Sequence, residues 1–298
     1  MKHVLAVAVL SLAVVSLAER PAAAQPSPEP RNPNIATDYV GWKYQGLHDK
    51  LKKRGVLELM NAVLSPLRLK QKLTIEFDTC NTVNAFYNLK QKVTICYEFV
   101  EWLANHTAVP PEKLKQDPRP NIPRRGLVPG VSRAEAIIGG LIGVALHEAG
   151  HAIFDIQKIP RLGREEDAAD MIAGFVMLHI GDEVARVSVK GMYNLTYNWY
   201  ANKPEIAPGN ERQFYLADTH SLHLQRAYNF LCLAYGKDQK AFQDIANAWL
   251  PAQRRPNCPA EYQQALHAFT KTVLPDVDQE LLKKVRAMPI LQPGDAKL

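Results

Sequence analysis

One segment constrains this chain more than any other: the stretch from Ser132 to Gln157. Ser132-Arg133-Ala134-Glu135 reads as a capping box, in which Ser132 accepts the Glu135 amide and Glu135 reaches back to the Ser132 N–H. The helix so started runs to about Gln157, with Pro160 beyond it, and carries the apolar run Ile137 to Leu146. Into this helix, which must be buried, the sequence inserts His147-Glu148-Ala149-Gly150-His151. Residues four apart lie one turn apart on one helix face, so the two imidazoles converge on one tetrahedral ion, expected to be Zn2+. Glu148 is then aimed at the open side of the metal, where it takes a proton from water and delivers it to a leaving amine. The alternative is a pair of satisfied core histidines. Buried ionisable groups need partners, and a metal supplies one.

A third ligand is required. A third histidine six residues after His151, with a glycine three after His151, is excluded, because those positions hold Gln157 and Phe154. The remaining source is a carboxylate from the next helix, which opens with Glu165-Glu166-Asp167-Ala168-Ala169-Asp170 after a turn through Pro160 and Gly163. Antiparallel packing returns its first turn to the metal-bearing helix. Glu166 and Asp170 share a face: Glu166 can ligate, while Asp170 accepts an N–H from a ligand imidazole and fixes its tautomer. These acids could instead complement the helix N-terminus, Glu165 first among them; Glu165 also stands as an alternative ligand.

The remaining chain is read around that helix. Residues 1–24 combine Lys2 and His3, an apolar run from Val4 to Ala18 and the small residues Ala22-Ala23-Ala24, the pattern of a cleaved signal peptide. Residues 25–40 form a Pro-rich leader, 41–290 a single domain, and 291–298 a C-terminal tail. No other segment is expected to span a bilayer, and the chain is expected to be exported. A helix is predicted over Tyr44–Leu64, strands at Leu73–Phe77, Asn84–Tyr87 and Val93–Tyr97, and a turn at Asn88–Gln91. Pro110 to Pro129 reads as a long loop over a cleft. Further helices are predicted from Glu165 to Gly181, Phe214 to Tyr235, Asp238 to Leu250 and Pro259 to Val273. The fold class is therefore α+β: a mostly helical domain with a small antiparallel sheet or hairpin before the metal-binding helix. Four cysteines allow three pairings, and their order favours Cys80–Cys96 and Cys232–Cys258. The net charge of +6 is carried in short clusters without interleaved aromatics, so no nucleic-acid partner is expected.

Asn84-Ala85-Phe86, the His147–His151 motif and Glu166-x-x-x-Asp170, in that order, resemble the gluzincin metallopeptidases, the thermolysin-like clan. The resemblance implies a zincin-like fold, zinc held by His147, His151 and Glu166, and a peptide or protein substrate pairing with the edge strand of Asn84, Ala85 and Phe86. More narrowly, the chain is similar to a bacterial metallopeptidase family without assigned substrate, over most of its length. That likeness includes Cys96-Tyr97-Glu98 and Asp218 to Gly236, and it implies a periplasmic or extracellular location. The chain departs from thermolysin in its short His151-to-Glu166 connection and in lacking an acidic calcium-binding cluster.

Downstream, Asp218-Thr219-His220-Ser221-Leu222-His223-Leu224-Gln225-Arg226 is the next segment rich in chemistry. His220 is the first choice to stabilise an oxyanion opposite the metal, with His223 and Arg226 as alternatives; an ordinary helix face capped by Asp218 is the competing reading. The functional expectation is peptide-bond hydrolysis by metal-activated water, the alternative a zinc-containing envelope binding or assembly protein without turnover. Nothing in the sequence bears on oligomeric state.

Overall fold

The computed structural model describes residues 31–41, 43–107, 126–202, 213 and 216–298. The expected signal peptide, most of the Pro110–Pro129 loop and Phe214 lie outside the described residues. In chain order the elements are β1 (Ile35–Tyr39), α1 (Gln45–Arg54), α2 (Val56–Leu64), β2 (Leu73–Asp78), β3 (Ala85–Asn88), β4 (Lys92–Cys96) and α3 (Tyr97–His106). Then come α4 (Arg133–Gln157), α5 (Glu165–His179), α6 (Asp182–Asn202), α7 (His223–Lys237), α8 (Gln243–Trp249), α9 (Cys258–Thr272) and α10 (Gln279–Arg286). The class is α+β, mostly helical, with one small sheet.

The sheet has strand order β1-β2-β4-β3 and is mixed. β3 and β4 form the expected antiparallel hairpin, but β1 pairs with β2 in parallel and β2 with β4 in parallel. The expected antiparallel sheet or hairpin thus holds for β3 and β4 and is corrected for the rest of the sheet: α1 and α2 make the crossover that parallel pairing of β1 and β2 requires. β1 falls within the stretch expected to be leader; only Ile35 of its five residues is buried, too little apolar pattern to announce a strand. The helix expected over Tyr44–Leu64 is two, because Gly55 adopts a left-handed φ of 69° that ends α1 and begins α2.

At the centre lies α4, capped by Ser132 and Glu135. It packs against α6 and α5, and its C-terminal half meets β3. By length and apolarity α4 could cross a bilayer, which corrects the expectation that no such segment follows the N-terminus; here the stretch is wholly buried within the fold. The helix α6 had no sequence signal because its buried side carries Ser188, Asn194, Thr196 and Asn198, which erase the apolar period. Asn198 grips the backbone of Gly126 with both amide atoms, and Asn194 accepts the Val128 N–H at 2.9 Å. The first half of the helix expected over Phe214–Tyr235 is also corrected: Asp218 to Leu222 is non-helical, and α7 begins at His223. Both expected disulfides are formed, Cys80–Cys96 behind the hairpin and Cys232–Cys258 between α7 and α9. The C-terminal tail is not loose either, since buried Asp295 is clasped by Arg54 of α1.

Candidate metal centre and cleft

A cleft of about 1080 Å³ opens between the sheet and the helices. One wall is β3 and the turn after it; the other is formed by α4, the α4–α5 connection, the start of α5 and the loop around His220. His147, Glu148 and His151 reach it from α4, and Glu165 and Glu166 from the first turn of α5. The two helices approach closely because the motif contains Gly150: a Cβ there would stand 3.1 Å from the Ala169 backbone of α5.

Three donor atoms meet on the cleft floor. Nε2 of His147 lies 3.1 Å from Oε2 of Glu166, Nε2 of His151 lies 3.3 Å from the same oxygen, and the two nitrogens are 3.4 Å apart. Each imidazole is held from behind by another carboxylate. Nδ1 of His147 lies 2.8 Å from Asp170, and Nδ1 of His151 lies 2.9 Å from Glu165. A carboxylate only accepts, so both Nδ1 atoms carry the hydrogen and both Nε2 atoms are left to face each other and Glu166. Without a cation among them, that arrangement sets lone pair against lone pair.

The electrostatics say the same. Burial opposes a charge on His147, but Asp170 and Glu166 outweigh it and raise the imidazole to about 9. Burial would likewise raise Glu166, yet the imidazoles of His147, His151 and His220 hold its carboxyl far below the ordinary range. The cluster is built to keep positive charge at its centre. A tetrahedral ion with bonds of about 2.0–2.1 Å separates its ligands by about 3.3 Å, which matches all three edges of the triangle. The donor set therefore fits a metal ion held by His147, His151 and Glu166.

Around this triangle the other sequence-predicted residues sort themselves. Glu148 is buried beside it, and burial raises its carboxyl above the usual range, against the opposing pull of the two imidazoles and the nearby Tyr87 N–H. Asp170 also receives the guanidinium of buried Arg226, from Nε at 2.7 Å and from the terminal nitrogen at 2.9 Å. Arg226 is thus committed to Asp170. Nε2 of His220 reaches Glu166 at 2.9 Å, and its Nδ1 is held by Asp218 at 3.0 Å. His223 instead lies against Trp199 and is not among the residues lining the cleft.

Asn84, Ala85 and Phe86 line the opposite wall, at the outer edge of the sheet. The Cys96 N–H bonds to the Asn84 carbonyl, so by alternation residues 84, 86 and 88 spend their backbone groups on β4. Ala85 and Tyr87 turn theirs outward. The outward N–H of Tyr87 faces Glu148, and the Tyr87 hydroxyl donates to Asp155 at 2.7 Å, which fastens β3 to α4.

Three of these relations escaped sequence reasoning. Glu165 was weighed as a helix-end acid or a ligand, not as the partner of the second imidazole. The Asp170–Arg226 bond and the Tyr87–Asp155 bond span 56 and 68 residues, and no local pattern signals either.

Residues 40–273 match the model of a domain family, DUF4344, described as "Putative metallopeptidase". No curated protein and no solved structure matches the chain.

Proposed function

The chain belongs to this metallopeptidase family, and from that premise we propose that it is an exported zinc-dependent enzyme hydrolysing peptide bonds. The observation that carries the reading is the donor triangle of His147, His151 and Glu166 with Glu148 beside it on the floor of an open cleft. Zinc held there supplies a Lewis acid that makes water a nucleophile near neutral pH and polarises the scissile carbonyl.

The chain's own residues do the rest. An extended peptide pairs with the free edge of β3 through the outward groups of Ala85 and the Tyr87 carbonyl, without regard to its side chains. Glu148 accepts a proton from the attacking water and returns it to the leaving amine; its burial raises its proton affinity toward that exchange. His220, held in place by Asp218 and aimed at the triangle, donates to the developing oxyanion. Asp170 and Glu165 fix the two imidazoles, and Arg226 fixes Asp170. An envelope protein using zinc only for structure has no need of Glu148.

The test is digestion of a broad peptide library by the chain, by the chelated chain and by the chelated chain given zinc again. Cleavage that disappears with chelation and returns with zinc is expected, and Glu148→Gln is expected to bind zinc without cleaving. Undiminished cleavage by that variant sinks the mechanism.

A further inference from the structure

Five large apolar side chains are exposed among the described residues; three of them line one opening, and the other two stand beside residues that line it in the sequence. Val83, Phe86 and Leu89 line the cleft from the sheet side. Leu162 lies between Arg161 and Arg164, which line it from the helical side, and Leu216 precedes Ala217, which lines it too. Singly scattered apolar residues need no explanation, but a set gathered about one opening in this way does. The two most exposed are Leu89, at 82 %, and Leu162, at 104 %. Leu89 tips the turn between β3 and β4, and Leu162 tips the connection between α4 and α5, one on each lip.

Each of these leucines has a cation close by: Lys90 follows Leu89, and Arg164 stands two residues after Leu162. Most other charges of the mouth are matched internally, Lys158 with Asp155, Arg161 with Glu165, and His220 with Asp218. Lys90 and Arg164 have no carboxylate partner among the described residues; Arg164 reaches only the His220 carbonyl, at 3.4 Å. The mouth therefore presents protruding hydrocarbon and uncompensated positive charge together.

We propose that the rim of the cleft is an interfacial docking surface. On it Leu89 and Leu162 enter the headgroup–acyl boundary of an anionic lipid bilayer, while Lys90 and Arg164 meet the headgroup charge. A lipid surface fits these observations better than a protein partner. A protein gains affinity by shaping a pocket around an anchor, and these leucines stand free at two loop tips with a cleft between them. A fluid interface needs no complementary shape, and it takes each protruding side chain separately. The docking stands without the peptidase reading; if both hold, the cleft receives polypeptide presented at a membrane surface.

The full chain is mixed with vesicles of phosphatidylcholine, alone or with phosphatidylglycerol, and floated at low and high salt. Binding to the anionic vesicles, weakened by salt, is the expected result. Lys90→Glu and Arg164→Glu should each lower the partition coefficient by about fivefold or more, and Leu89→Ser with Leu162→Ser should lower it further. Circular dichroism confirms that each variant is folded. The apolar run Val4–Ala18 could by itself carry the chain to vesicles, so insertion is also read locally. In L89W and L162W the added fluorescence should shift to the blue and be quenched by brominated acyl chains. Absence of vesicle binding, binding indifferent to all four substitutions, or no quenching in L89W and L162W would each overturn the proposal. Leucine variants that lose only the cleavage of protein substrates, with no vesicle binding by the parent, would assign the rim to a protein partner instead.

Discussion

The two halves of α4 put one helix to opposite uses. In its first half the side chains have been stripped away on one side: a Cβ on Gly139 would stand 2.0 Å from the Val187 carbonyl oxygen of α6, and one on Gly191 of α6 would stand 2.3 Å from the Gly139 carbonyl carbon. The two backbones touch. From His147 onward the same helix presents imidazoles and carboxylates, and its neighbours answer with polar atoms from α5 and β3. The difference teaches how a charged site can be buried. Taking ions out of water costs several kcal/mol each, and only partners held at hydrogen-bond distance offset it. The close-packed half acts as a mount that keeps the polar half in register.

Breaking the polar half at its chemical centre should have the largest effect. Glu148→Gln is expected to lower turnover by about 10²–10⁴-fold while metal content, read by elemental analysis, is unchanged. Next is the charge buried behind it. Arg226→Met leaves Asp170 without its cation and should cost about 3–5 kcal/mol in urea unfolding. A loss below about 1 kcal/mol would mean that Asp170 is held by other means.

The mount is tested by Gly191→Ala, whose added methyl has no room and should cost about 1–3 kcal/mol or more. The control is Gly46→Ala in α1, where nothing lies within 4 Å of the new Cβ and stability should hold or rise slightly. Equal effects at the two glycines would remove the contrast between the halves.

Smaller still is the support of the second imidazole. Glu165→Ala should weaken metal binding by about 10–100-fold in competition with a chelator, with the fold intact.

The smallest effect concerns the cap that starts α4. Burial would raise the Glu135 carboxyl, but Lys190 and the bonds of the Ser132 cap outweigh it and hold it below its ordinary value. A depressed folded pKa contributes stability above the unfolded value of about 4.3, which is lost as pH falls through the folded value. Glu135→Gln should therefore be less stable than the parent at neutral pH, by about 1 kcal/mol. The gap should close as the medium is acidified below about pH 4, measured on chelated protein to exclude metal release.

Legibility followed the reach of each interaction. The α4 cap, its length, the hairpin turn and both disulfide pairs were readable because capping, apolar period and cysteine order are local signals. The α6 helix was unreadable because its buried side is polar, and the parallel pairing of β1 with β2 because nothing local states a strand's direction. His220 was singled out by its neighbours in sequence, although the helix expected beneath it proved to be a loop.

By itself, then, the sequence determined the donors: two imidazoles one helical turn apart, and carboxylates massed at the start of the next helix. Helix periodicity makes that spacing sufficient. The spacing also offered Glu166 to the metal and Asp170 to an imidazole; only the tertiary structure decided between Glu166 and Glu165, setting Glu166 in the triangle and Glu165 behind the His151 ring. The neighbours Glu165 and Glu166 are interchangeable in sequence; the approach of α5 at Gly150 and Ala169 decides which oxygen arrives where.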